Sequence, residues 1–145
     1  MPPASTPPDW ALKSAVARLA TVDGAKPHLV PVVFCELDGA LFIPVDGKPK
    51  SGARLQRLRN IERNPAVAVL VDRYSNNWSE LCWTRIDGRA EIVATDDRIR
   101  AALRAKYPQY EHIEIGTTAI RVMIEGVVSW SAKGRRPPGV PNLKQ

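Results

Sequence analysis

The sequence predicts a mainly β fold, a small antiparallel barrel of about six strands with two or three peripheral helices. Three observations carry this. Asp-Gly steps at 23–24, 38–39 and 87–88 interrupt runs of strand-forming residues, a strong short-range turn signal. Residues 66–72, AVAVLVD, form a nearly continuous apolar run that suits a buried central strand. Residues 119–130 alternate loosely, with Ile120, Val122 and Ile124 set against Arg121, Met123 and Glu125.

Taken in chain order, Pro2, Pro3, Pro7 and Pro8 make residues 1–9 a flexible arm. A short helix starts at Asp9, which serves as its cap, and Leu12, Val16 and Leu19 trace an apolar face. Residues 18–22 read as a strand, followed by the turn at 23–24. Residues 28–37 read as a second strand, and residues 41–45 follow the next Asp-Gly as a third.

Ser51 is a candidate N-cap for a helix whose stripe is Leu55, Leu58 and Ile61, ended by Asn64-Pro65. After the strand at 66–72 comes a polar loop at 74–77. Residues 78–86 and 89–93 form either a hairpin or one long strand bent at Asp87-Gly88. Thr95 or Asp96 caps a helix that runs to about Lys106 and stops before Pro108. The last long strand is 119–130, and residues 133–145 make a basic, Pro-rich tail.

A chain of 145 residues suits one domain, and 44% hydrophobic residues is an ordinary fraction for a folded protein. No run approaches the roughly 20 apolar residues of a membrane span, and MPPASTPPDW lacks the apolar segment of a secretory signal. A cytoplasmic protein without membrane contact is the expectation. Cys35 and Cys82 stand far apart in apolar runs and read as buried free thiols. With only His28 and His112 besides, no metal site is expected.

The net charge of +6 favours an anionic partner, but composition does not choose among nucleic acid, membrane and phosphorylated small molecule. Much of the charge lies in one stretch, DGKPKSGARLQRLRNIERNP at 46–65. It carries Lys48, Lys50, Arg54, Arg57, Arg59 and Arg63, with Glu62 inside the run. A helix start offers free N–H groups and the positive end of the dipole. Lys48 and Lys50 lie just before such a start, stiffened by Pro49, and Arg54 and Arg57 lie on its first turns, so all four suit one anion. Arg59 and Arg63 fall further along, toward solvent. A plain solvated basic helix is the alternative reading of the same spacing.

Several stretches together resemble a family. ARLATVDG followed by PHLVPVVF, then VDGKPK, LQRLRNIERNPAVAVLVD, RIDGRAEIV and the WSA at 130–132 look like the split-barrel flavoprotein superfamily. Within it the chain resembles the pyridoxamine-phosphate-oxidase-like proteins described as F420-dependent enzymes. The likeness covers residues 10–132. It implies a six-stranded antiparallel split β-barrel that forms a homodimer, with a cofactor in each groove between the protomers. Carried over by position, Lys48, Pro49, Lys50, Arg54 and Arg57 would hold the phosphate end. Arg57 stands where many relatives have lysine. The backbone of Pro31, Val32, Val33 and Val45 would flank the ring system, with Trp78 and Trp130 closing the groove, in part from the partner.

The resemblance implies an oxidoreductase that passes hydride from reduced F420 to a small organic acceptor, with FMN as the alternative cofactor. No protein nucleophile is required, in keeping with a sequence that offers no Ser-His-Asp grouping. His28 reads as a structural hydrogen-bonding residue, or as a proton donor near the ring. The fold also admits a haem-binding or cofactor-carrier role. A nucleic-acid binder is the competing class. The basic tail supports it, but helix-turn-helix, RNP-like and zinc-finger patterns are missing.

Overall fold

The computed structural model describes residues 6–45 and 55–133. The described chain begins with a single helical turn, α1 (Asp9–Leu12), followed by β1 (Ala17–Asp23), β2 (Lys26–Val32), β3 (Cys35–Leu37) and β4 (Ala40–Val45). Helix α2 (Gln56–Arg63), β5 (Ala66–Arg73), β6 (Cys82–Ala94), α3 (Asp97–Lys106) and β7 (Thr118–Ser131) complete it. One antiparallel sheet of seven strands runs β2-β1-β5-β6-β7-β4-β3.

The seventh strand arises where the sequence suggested one continuous run. Residues 28–37 split into β2 and β3, which lie at opposite edges of the sheet although only residues 33 and 34 separate them. A connection that short forces the sheet to curl until its two edges meet. No ladder joins β2 to β3, so the barrel stays open in hydrogen-bond terms.

The long β6–β7 hairpin is shared by two half-sheets. β5 pairs with β6 only as far as Arg89, and β4 pairs with β7 only as far as Met123. Arg89 and Met123 are themselves partners, so the changeover falls at one rung. The register slips beside it, where Asp87 faces Gly126 but Gly88 faces Ile124. A bulge of this kind bends and twists a ladder. Gly88 is required there, since a Cβ would overlap Met123 O and come within 2.9 Å of Val122 Cγ1. The Asp-Gly step therefore bends one strand and does not end it.

The other Asp-Gly steps are true turns. Asp38 and Gly39 both take positive φ, 52° and 81°, as a two-residue hairpin of primed type demands. At the first hairpin the turn pair is Gly24-Ala25, with Gly24 at φ 58°.

Further local expectations are corrected. Asp9 is the first residue of α1 and pairs with Lys13 at 2.9 Å, while Pro8 occupies the cap position without a side-chain bond. The helix ends at Leu12, so Leu19 belongs to β1. Residues 78–80 are a 3-10 turn, because Asn77 Oδ1 accepts the Ser79 amide at 3.2 Å and draws the chain out of extension. β5 is central in the sheet, but only Val67, Val69 and Val71 are buried, and Leu70 is 38% exposed. Asp96 is the cap of α3, accepting from the Ile99 amide at 2.8 Å. The proposed cap Ser51 lies outside the described residues.

Two cores result. The main one lies inside the curled sheet and receives Leu58 and Ile61 of α2. The second joins α3 to β3 and β4 through Cys35, Phe42, Ile99 and Leu103. Strand β4 serves both, Leu41 and Ile43 facing one and Ala40 and Phe42 the other, which explains its unbroken apolar run.

Lys106 ties the second core to both chain segments beside it. Its Nζ donates to Leu12 O at 2.9 Å and Phe34 O at 2.8 Å, and sits 3.5 Å above the Phe34 ring. Tyr107 Oη donates to Ala15 O at 2.8 Å. Burial lowers the Lys106 pKa from 10.5 to about 8, with Cys35 opposing the shift. Burial raises the Cys35 pKa from 9.0 to about 11, opposed by Lys106.

Between pH 8 and 10.5 the unfolded chain holds the lysine proton that the native state has released, so stability rises with pH. Between pH 9 and 11 the native thiol keeps a proton that the unfolded chain loses, so stability falls. Urea unfolding is expected to show a rise confined to about pH 8–9. Its slope stays below the one-proton limit of about 1.4 kcal/mol per pH unit, since the lysine is partly exposed. Lys106→Met removes the rise, and Cys35→Ala extends it toward pH 10.5. Unchanged pH profiles in both variants would overturn the linkage.

Candidate functional site

The residues expected to flank a ring system lie where β2 and β4 end. Val32 is 8% exposed and its side chain belongs to the main core, so what it offers a ligand is its main chain. Val33 packs against the second core and Pro31 is exposed. Val45 is half-buried against the main core, as is Leu55 at the start of α2. These elements therefore converge on one body of packing. β2 pairs only with β1, so among the described residues its outer edge has main-chain donors and acceptors without a strand partner.

Helix α2 is held over β1 by a buried polar pair that periodicity alone does not reveal. Asn60, 1% exposed, donates from Nδ2 to Thr21 Oγ1 at 2.9 Å and accepts from Gln56 Nε2 at 2.7 Å. Satisfied buried amides of this kind fix orientation, because breaking one leaves a buried polar group unpaired. The helix so held carries Arg57, half-buried, on its first turn. Arg59 and Arg63 are exposed, as their spacing implied, and Arg59 donates to Gln56 Oε1. Lys48, Pro49, Lys50 and Arg54 lie outside the described residues.

Trp78 and Trp130 are elsewhere. Val45 pairs with Thr118 at the start of β7, and Trp130 stands near its other end, twelve residues on, or about 40 Å along an extended strand. Pro31 and Val128 stand in one lateral row, Pro31–Arg18–Leu70–Arg85–Val128, which measures about 19 Å along the curled sheet at strand spacing. Along β7, Trp130 thus stands toward the end opposite the partner of Val45.

At the tryptophan end are two adjoining clefts. One, of about 320 Å³, is walled by Tyr74, Trp78, Leu81, Trp83 and Trp130. The other, of about 630 Å³, adds Trp10, Ser79, Glu80, Ser129 and Lys133. Arg73, Cys82 and Trp130 line both. Trp130 is 4% exposed, and its buried Nε1 has no hydrogen-bond partner. Tyr74 and Trp78 are 69% and 46% exposed. The sequence reading missed Tyr74, Trp83 and Arg73. The signal was an aromatic residue at each end of the polar 74–78 loop.

Cys35 is buried as expected, but Cys82 is only half-buried. Burial raises the Cys82 pKa, with Arg73 lowering it and Asp72 raising it further, so neither thiol is activated. The hydrogen bond expected of His28 is missing at its buried Nδ1, which has no partner. Among the described residues no cluster of His, Cys, Asp and Glu suits a metal ion, and no helix is long and apolar enough to cross a membrane.

Comparison with solved structures places this open, two-lobed sheet among known folds. A FAD-binding protein from Mesorhizobium loti superposes with a TM-score of 0.63 at 21% identity, over 81% of this chain and 84% of that one. A conserved hypothetical protein from Mycobacterium tuberculosis gives 0.66 at 19% identity, over 94% and 91% of the two chains. A FAD-binding protein from Mycobacterium smegmatis gives 0.53 at 18%, over 84% and 88%. No curated protein matches the chain. The sequence profile described as pyridoxamine 5'-phosphate oxidase matches residues 9–131, from α1 to the last residue of β7. Since that span takes in every described strand and helix, the chain belongs to the pyridoxamine 5'-phosphate oxidase family.

Proposed function

We propose that the protein is an oxidoreductase that holds a flavin-type cofactor, F420 in the finer reading, in a groove between two copies of the chain. The family match over residues 9–131 carries this reading. The residues suit such a ligand. The unpaired edge of β2 offers main-chain groups to ring nitrogens and oxygens, and Val45 and Leu55 bring an apolar floor. Arg57 lies on the first turn of α2, and the sequence puts Lys48 and Lys50 just ahead of that helix for a phosphate.

When bound, the cofactor supplies the hydride chemistry, and the chain binds, orients and shields it. The cations of the 46–57 stretch exceed what one phosphate needs, which favours F420 and its anionic tail. FMN or FAD is the second reading, favoured by the two structural neighbours described as FAD-binding.

A shared groove reconciles the positions of the site residues. Val45 and Trp130 stand toward opposite ends of β7, and a second copy would bring the tryptophans of one chain to the β4 end of the other. Among the described residues, 124–131 of β7 have β6 on one side and no strand on the other. The outer face beside them exposes Leu29, Leu70 and Val128. An open edge next to apolar surface suits a dimer interface.

The test is to titrate the purified protein with F420, FMN, FAD and haem side by side, and to measure its mass by sedimentation. Saturable binding of F420 or a flavin to a dimer is expected. Binding of haem alone would move the protein to the carrier class. A monomer at micromolar concentration would end the shared groove. DNA retardation without any cofactor binding would favour the nucleic-acid reading.

A further inference from the structure

The paired clefts at the Trp78–Trp130 end are a built feature of the single chain. Their volumes, about 320 and 630 Å³, fall in the range of small-molecule sites, about 300–1,000 Å³. The smaller is aromatic on several sides, and exposed Tyr74 and Trp78 continue it outward. Large rings left in water next to a concave apolar wall gain by covering one another or a ligand.

The wall between the clefts has a polar requirement too. The Trp130 indole N–H is buried without an acceptor. Arg73 faces both clefts. Its guanidinium stacks over Trp10 at 5.1 Å and has no carboxylate partner among the described residues. The neighbouring Asp72 is paired instead with Arg18 at 3.1 Å. In the larger cleft Lys133 adds a cation and Glu80 an acid, the latter accepting from Asn77 Nδ2 at 3.1 Å. Asp72 also lines the smaller cleft, so Arg73 and Lys133 are matched in formal charge by Asp72 and Glu80, but Asp72 is engaged by Arg18 and Arg73 is left as the cation available to a ligand between the ring walls.

We infer that this pair of clefts binds a planar aromatic anion, its ring against Trp78 and Trp83 and its carboxylate or similar group on Arg73. Arg recognises planar carboxylates through its fork, and stacked rings supply the apolar part of the affinity. The inference deepens the cofactor reading by naming the class of acceptor, and only the ligand's role as acceptor rests on that reading. The binding itself does not.

Calorimetry on the cofactor-free protein tests it with 2-naphthoate and its neutral analogue 2-naphthylmethanol. The carboxylate is expected to bind saturably and about tenfold or more tighter than the alcohol, the scale of one charge-assisted contact. Arg73→Met abolishes that preference, and Trp78→Ala weakens both ligands. Unchanged thermal melting shows that each variant is folded. No saturable binding up to millimolar concentration, or equal affinity for the two ligands, overturns the inference. The titration is repeated with whichever cofactor binds. Unchanged naphthoate affinity supports a separate acceptor site, whereas competition assigns the clefts to the cofactor and overturns it. If no cofactor binds in its own titration, the naphthoate result still stands.

Discussion

Leu58→Asp is expected to leave the chain unfolded at room temperature. Leu58 is 6% exposed and packs in the main core with Ile61 at 4%, both carried by α2 across the open side of the curled sheet. Removing the leucine forfeits roughly 1.5–3 kcal/mol of burial. A carboxylate in its place costs several kcal/mol more, because the residues it would meet in the main core are apolar. Domains of this size are stable by only about 5–15 kcal/mol, so the two costs together approach the whole margin.

Leu55→Asp is milder, because Leu55 precedes the helix and is only half-buried. Arg59→Asp, on the solvent side of the same helix, is the control and should melt like the parent. Circular dichroism with thermal melting reads all three. A cooperative, soluble Leu58→Asp variant would mean that α2 does not pack on the sheet through this face.

The parts of the fold that were legible in the sequence are those fixed by local chemistry. Asp38-Gly39 needs positive φ at both positions, and Asp96 offers a carboxylate to a helix start, so both features appear where the residues are. The split of residues 28–37 was not legible, because β2 and β3 are both extended and both apolar. What separates them is which edge of the sheet each joins, a non-local fact. The outward Leu70 had the same cause: a run of apolar residues does not tell a strand buried on two faces from one whose outer face awaits a partner.

The candidate site was legible in pieces. Val32, Val45 and Leu55 meet in the main core, at the ends of β2 and β4 and just ahead of α2. Trp78 and Trp130 were assigned to one groove by resemblance; they line one cleft, and Trp130 stands toward the end of β7 opposite the partner of Val45. Asn60 and Thr21 were passed over because a polar residue inside a helix or strand gives no periodic signal. Only the 2.9 Å bond between them reveals why they are there.

The cofactor reading makes its strongest demand on Lys48 and Lys50, and replacing both with alanine is expected to abolish cofactor binding while leaving the melting temperature unchanged. A net contact between a lysine and an anionic oxygen contributes about 1.5–3 kcal/mol, so losing two costs about 3–6 kcal/mol, a hundredfold to ten-thousandfold in affinity. A diffuse positive field would behave differently. Arg59 and Arg63 carry the same charge a few residues later, on the exposed side of α2. If the field were all that mattered, Arg59→Ala with Arg63→Ala would weaken binding as much as the lysine pair does, and both effects would fade together in salt. A local phosphate contact predicts a large loss for the lysines and little for the arginines. Arg57→Met should then fall between the two, since its position on the first turn of α2 suits a contact with the same anion. Equal and small losses in all three variants, measured by fluorescence titration with F420 and FMN, would remove the phosphate site from this end of α2.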